Sequence, residues 1–183
     1  LYLAPLPEES GPRTGFEAIV RGNLFVDSGS HGIKGGPGGL LEDNLFVRNA
    51  VAGYMSRSDS EILGNVVLDG TDISADQERG WGIEAFRMGR ARIENNIVAN
   101  TLTKNNDPQF ALRSQAGTTT SSGNHVFAQA RGVGMVDGVE YHPDRLDHGL
   151  DTDALIEAEA NRPHGQWTGG IADALRQVQE AAR

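Results

Sequence analysis

The sequence predicts an all-β protein, a right-handed parallel β-helix of about five coils with a short C-terminal helical cap. Three observations predict it. An asparagine-centred motif recurs at a short interval, the runs between its copies are too short for helices, and glycine is in excess, 24 of 183 residues, with no collagen-like period.

The motif is Gly22-Asn23-Leu24-Phe25-Val26, repeated as Asp43-Asn44-Leu45-Phe46-Val47, Gly64-Asn65-Val66-Val67-Leu68, Asn95-Asn96-Ile97-Val98-Ala99 and, more weakly, Gly123-Asn124-His125-Val126-Phe127. Successive asparagines stand 21, 21, 31 and 28 residues apart, a unit of 21 with insertions in two copies. Each unit has three apolar runs. The first precedes the asparagine (Ala18-Ile19-Val20, Leu40-Leu41-Glu42, Glu61-Ile62-Leu63, Ala91-Arg92-Ile93-Glu94), and the second follows it. The third comes after a loop: His31-Gly32-Ile33-Lys34, Val51 to Met55, Trp81 to Phe86 and Phe110 to Arg113. Three short strands per turn define the expected coil. Asparagine tolerates the left-handed conformation of a sharp bend, so the motif asparagine is expected at the bend itself. Stacked amides about 4.8 Å apart then form a ladder. The Leu-x-x-Leu-x-Leu frame of the leucine-rich repeat is absent.

The expected organisation is a lead-in over 1–14, the stacked coils over 15–136, and a C-terminal turn and helical cap over 137–183. In the last part, Asp153 to Ala160 and Ile171 to Ala182 read as helices, the second amphipathic through Ile171, Leu175 and Val178. It is expected to cover the last coil or to lie along the side of the stack. The insertions fall between second and third strands, at Asp69 to Arg79 and Asn100 to Pro108. Long loops on one edge of a solenoid build its binding surface.

Composition narrows the function classes. A net charge of −9 speaks against a polyphosphate partner, so nucleic acid is not expected. No apolar run has the roughly 20 residues of a membrane helix. The absence of cysteine excludes thiol chemistry, Cys-based zinc sites and a disulfide scaffold. The first residue is Leu1, so the chain reads as a processed form or a fragment, with upstream coils and any signal peptide out of view.

The Asn-Leu-Phe-Val, Asn-Asn-Ile-Val-Ala-Asn and Gly-Asn-Val-Val-Leu repeats resemble those of the pectate-lyase-like right-handed β-helix superfamily across roughly residues 15 to 136. His31-Gly-Ile-Lys34, Gly39 to Arg48, Arg79-Gly-Trp-Gly82 and the closing Asn161-Arg-Pro-His-Gly-Gln-Trp167 resemble bacterial β-helix repeat proteins. The resemblance implies a carbohydrate-active protein, extracellular or periplasmic, whose partner is an acidic polysaccharide or oligosaccharide bound on the strand after the variable loops. The polygalacturonase carboxylate set and the Arg-x-Pro-x-x-Arg of the main pectate lyases are missing, so the reaction stays open. A polysaccharide lyase is expected; a non-catalytic polysaccharide binder and an inverting glycoside hydrolase are the alternatives.

Aligned by their apolar positions, the third strands put Lys34, Tyr54, Glu84 and Arg113 in one outward column, with Ile33, Gly53, Ile83 and Leu112 inward. Uronate β-elimination needs a cation for the carboxylate, a base for the C5 proton and an acid for the leaving oxygen, and the column carries such groups. Lys34 or Tyr54 is the candidate base, its pKa lowered by Arg57 or Arg113. The plain alternative is a polar outer face with a Glu84–Arg113 salt bridge. His31, Arg57, Trp81 and Arg87 are the candidate substrate-binding residues. His31 aligns with Val51, Trp81 and Phe110, which read as inward positions, so it is either a hydrogen-bonded core residue or a ligand contact. Trp81 either fills the core or stacks on a sugar. The carboxylates Asp69, Asp72, Asp76 and Glu78 are of the kind that hold Ca2+ or are simply solvated, and Glu84 with Asp72 or Asp76 is the pair a glycosidase would use. His142 to His148 carries metal-capable groups, but no metal is expected there.

Overall fold

The computed structural model describes residues 1–3, 18–35, 39–56, 59–70, 81–86, 89–101, 111–128, 136–163 and 169–183. Numbered along the chain, the strands are β1 (Tyr2–Leu3), β2 (Ile19–Arg21), β3 (Leu24–Val26), β4 (His31–Gly35), β5 (Gly39–Glu42), β6 (Leu45–Val47), β7 (Val51–Ser56), β8 (Ser60–Leu63) and β9 (Val66–Leu68). They continue as β10 (Trp81–Phe86), β11 (Arg90–Glu94), β12 (Ile97–Ala99), β13 (Leu112–Ser114), β14 (Thr118–Ser122), β15 (Asn124–Phe127) and β16 (Val139–His142), followed by α1 (Thr152–Ala160) and α2 (Gly170–Ala181). The protein is thus mostly β, and its strands form three parallel sheets. The first has the order β1-β4-β7-β10-β13, the second β2-β5-β8-β11-β14 and the third β3-β6-β9-β12-β15-β16. From β2 to β12 the chain visits the sheets in strict rotation, so each circuit lays one strand on each sheet beside the strand of the circuit before.

The sheets enclose a common core. Val20, Leu41, Ile62 and Ile93 come from the second sheet, Phe46, Val67, Val98 and Val126 from the third, and Ile33, Met55, Ile83 and Leu112 from the first. Only the middle residue of each short third-sheet strand points inward, where Phe25 stacks on Phe46 with ring centroids 4.8 Å apart. Its two neighbours point outward by strand alternation.

The asparagine ladder is present, with one correction. Asn23, Asn44, Asn65, Asn96 and Asn124 join side chain to side chain at 3.1, 2.9, 3.0 and 2.9 Å. None of the five has a positive φ. The left-handed residue is the one before: Gly22, Asp43, Gly64, Asn95 and Gly123, with φ between 49° and 63°. An amide that must reach across to the next circuit is better held on extended backbone, so the bend falls to a preceding glycine, Asp or Asn. A second left-handed column, Asp27, Arg48, Asp69, Asn100 and Ala128, closes β3, β6, β9, β12 and β15. Two bends five residues apart explain why these strands hold so few residues.

The helices lie on the side of the stack, not across its end. The outward residues Leu45, Val47, Val66, Leu68, Ile97 and Ala99 form a second apolar cluster with Leu155 of α1 and Ile171, Leu175 and Val178 of α2. The tail runs back along the second bend column. Leu146 exchanges hydrogen bonds with the Asn100 side chain at 3.0 and 3.1 Å, His148 meets Asp69 at 3.2 Å, and Asp153 meets Arg48 at 2.8 Å. An amphipathic helix is drawn to an apolar sheet face of this area more strongly than to the narrow end of a stack. Strand β16 lies beyond the Val136 boundary that the repeats set, because its Val-Glu-Tyr-His run carries no asparagine motif. Likewise β1 lies in the expected lead-in, paired with β4. Among the described residues, no helix is long and apolar enough to cross a membrane.

Candidate functional site

The third strand of each circuit bends toward the core. Gly32, Ala52, Gly82 and Ala111 are buried together with the next residues Ile33, Gly53, Ile83 and Leu112, so two consecutive positions face inward. A Cβ on Gly32 would lie 2.9 Å from the Phe46 ring and 2.8 Å from the Ala52 carbonyl oxygen, which is why this position takes only very small residues.

The position after the inward pair holds Lys34, Tyr54, Glu84 and Arg113, in direct register across β4, β7, β10 and β13. Lys34 is exposed, and Tyr54 is placed by its backbone between Lys34 and Glu84. Glu84 departs from an ordinary outward strand position, since only 4% of it is exposed. Its carboxylate meets the Arg113 guanidinium at 3.4 Å. Burial raises the Glu84 pKa, and the charge of Arg113 opposes the rise without cancelling it. The salt-bridge alternative is therefore present in the structure, but with a carboxyl pushed toward its protonated form.

The position before the inward pair holds His31, Val51 and Trp81, again in register. Val51 is buried, as expected of an inward position. The expectation is corrected for His31 and Trp81, because the inward places beside them belong to Gly32 and Gly82. His31 is half-buried, with Nδ1 3.0 Å from Ser30 Oγ, and Trp81 is half-buried and outside the central core. Both are within one strand's length of the Lys34–Arg113 column. Arg57, Arg87, Phe110, Asp72, Asp76 and Glu78 lie outside the described residues. Of the expected acidic loop only Asp69 and Gly70 are described, and Asp69 is turned to His148.

The raised pKa of Glu84 has a measurable consequence. Folded Glu84 holds its proton more tightly than the unfolded chain does, so its contribution to stability is full below pH 4.5, its ordinary value, and is lost as pH rises through the higher folded value. In Glu84→Gln this component disappears. The difference in unfolding free energy, wild type minus variant, is expected to fall as pH increases from 4.5 toward neutrality; a flat or rising difference in urea titrations at successive pH values would contradict it.

One cluster escaped the sequence reading. His125, Glu140 and His142 converge on the outer face of the third sheet through the β15–β16 pairing, which sets His125 beside Glu140 and Phe127 beside His142. Its signal was weak: a histidine at an outward position of the last motif and a Glu-x-His pair on a strand without a motif. No family model, curated protein or solved structure matches this chain.

Proposed function

We propose that the three-sheet stack is a right-handed parallel β-helix and that its activity is that of a polysaccharide lyase, cleaving a uronate-containing polymer by β-elimination outside the cytoplasm. The handedness follows from the strong preference of parallel crossovers for the right-handed turn. The observation that carries the activity is Glu84, a buried carboxyl inclined to keep its proton, in register between neighbours that supply a cation and a base. In this reading Arg113 binds the sugar carboxylate and thereby acidifies C5. Lys34 or Tyr54 removes the C5 proton, the electron pair forms the C4=C5 bond, and Glu84 protonates the departing C4 oxygen. A uronate arriving at Arg113 draws the guanidinium off Glu84, which leaves that carboxyl buried without its counter-charge and favours the acid form. Trp81 and His31 flank the chain of sugars.

Incubation with polygalacturonate and with alginate, followed by the ultraviolet absorbance of the unsaturated product, tests the reading. Arg113→Ala and Lys34→Ala are each expected to slow product formation by at least about 100-fold, the lower range for loss of a positioned acid, base or charge. Undiminished rates in both variants would refute the assignment of the column. New reducing ends without absorbance would instead mark an inverting hydrolase, and retention of polymer without any product would mark a binding protein.

A further inference from the structure

We propose that His125, Glu140 and His142 form a binding site for a zinc-class divalent cation with one coordination position open to solvent. His125 Nδ1 lies 3.3 Å from His142 Nε2, and the Glu140 carboxylate lies 3.5 Å from His125 Nδ1 and 3.7 Å from His142 Nε2. The two Glu140 distances run to its two different oxygens, and one donor atom from each residue lies within 4.8 Å of the others. Ligands bound to zinc at about 2.0–2.1 Å in a tetrahedron are separated from each other by about 3.3–3.4 Å, so a small turn of the exposed Glu140 side chain brings the three groups onto one triangular face of that polyhedron. Two imidazoles and a carboxylate are the donor set zinc takes with three protein ligands, the fourth position being left to water or substrate.

Protons alone satisfy this arrangement poorly. A proton shared between Nδ1 and Nε2 serves one edge of the triangle, whereas a cation at its centre serves all three. The donors are also held in place. Strand alternation puts His125 with Phe127, and Glu140 with His142, on the outer face, while Tyr141 packs inward against the core. The Phe127 ring stacks on His142 at 4.2 Å with an interplanar angle of 8°, which fixes the imidazole plane. Both histidine side chains keep about 30% exposure, which gives an ion a route in. The site lies on the third sheet, not on the first-sheet column, so it stands or falls apart from the lyase reading. Bound metal ties β16, the last strand of its sheet, to β15.

The test uses the full chain without a polyhistidine tag, stripped with chelator. Isothermal titration with Zn2+ is expected to give one equivalent bound with micromolar affinity or tighter, and Zn2+ to raise the thermal unfolding midpoint. His125→Ala and His142→Ala should each weaken binding by more than about 100-fold, beyond the roughly 10–100-fold that loss of an outer-shell partner costs. His148→Ala, which removes a histidine of the tail, should leave the affinity unchanged. Co2+ in place of Zn2+ should show the strong visible absorption of four-coordinate cobalt. Binding no tighter than that of the His125→Ala/His142→Ala double variant would overturn the site, as would cobalt spectra of the weak six-coordinate type. Since the metal-free stability of each variant is measured in the same series, misfolding is told apart from loss of a ligand.

Discussion

Asn96→Ala is expected to cost about 4 kcal/mol of unfolding free energy, a loss matched in the ladder by Asn65, which makes the same five kinds of bond. Asn96 is fully buried. Its oxygen accepts from the backbone and side-chain nitrogens of Asn65 at 2.9 and 3.0 Å, and its Nδ2 donates to Asn124 Oδ1, the Ile62 carbonyl and the Glu94 carbonyl at 2.9, 2.8 and 3.0 Å. Alanine removes five contacts at once and strands the Asn65 amide and the Ile62 carbonyl where water does not reach. An unsatisfied buried group costs about 1–3 kcal/mol, and the loss recurs on both sides of the residue. Asn23 provides the comparison, since it is half-buried and among the described residues its oxygen accepts no ladder bond; Asn23→Ala is expected to cost about 1 kcal/mol. Urea unfolding midpoints measure both. Equal losses would show that the amides carry no stability between circuits.

Gly82→Ala is expected to cost at least about 3 kcal/mol and to weaken the β10–β13 pairing. A Cβ at this position would lie 1.8 Å from the Ala111 carbonyl oxygen and 2.8 Å from its carbon. That carbonyl already accepts the Ile83 N–H at 2.9 Å, so it cannot withdraw without giving up a sheet hydrogen bond. Gly53, one position along in the neighbouring strand, separates close approach from mere loss of glycine. Its added Cβ would meet Ile83 Cγ2 at 3.4 Å, an ordinary contact, and Gly53→Ala is expected to change stability by less than about 1 kcal/mol. Thermal melts of the two variants side by side decide the matter: similar midpoints would contradict the tight bend before the Lys34–Arg113 column.

The parallel registers were legible because the motif repeats its apolar positions at a fixed offset, and Lys34, Tyr54, Glu84 and Arg113 fall opposite one another as their spacing predicts. The bend residues were legible too, yet were assigned one place late, although a glycine, Asp or Asn precedes every ladder asparagine. What lay out of reach depends on what covers a face. Alternation says that Glu84 leaves the core but says nothing of the burial it meets outside, and that burial decides its proton affinity. His31 and Trp81 were assigned inward because period-two alternation does not foresee two consecutive inward residues at a bend. The His125 cluster was hidden for a different reason: β16 pairs by register without repeating the motif, so nothing in its four residues announces its neighbour.

The return path of the tail orders events during synthesis. Leu45, Val47, Val66, Leu68 and Ile97 are made long before Ile171, Leu175 and Val178, so a growing chain presents a greasy flank until α2 is made and covers it. Chains cut short before α2 would keep that flank and be marked for chaperones or proteases, whereas docking of α2 removes it in a single step. Helix α2 therefore acts as a quality mark for the stack it covers, latched at its approach by the Arg48–Asp153 pair.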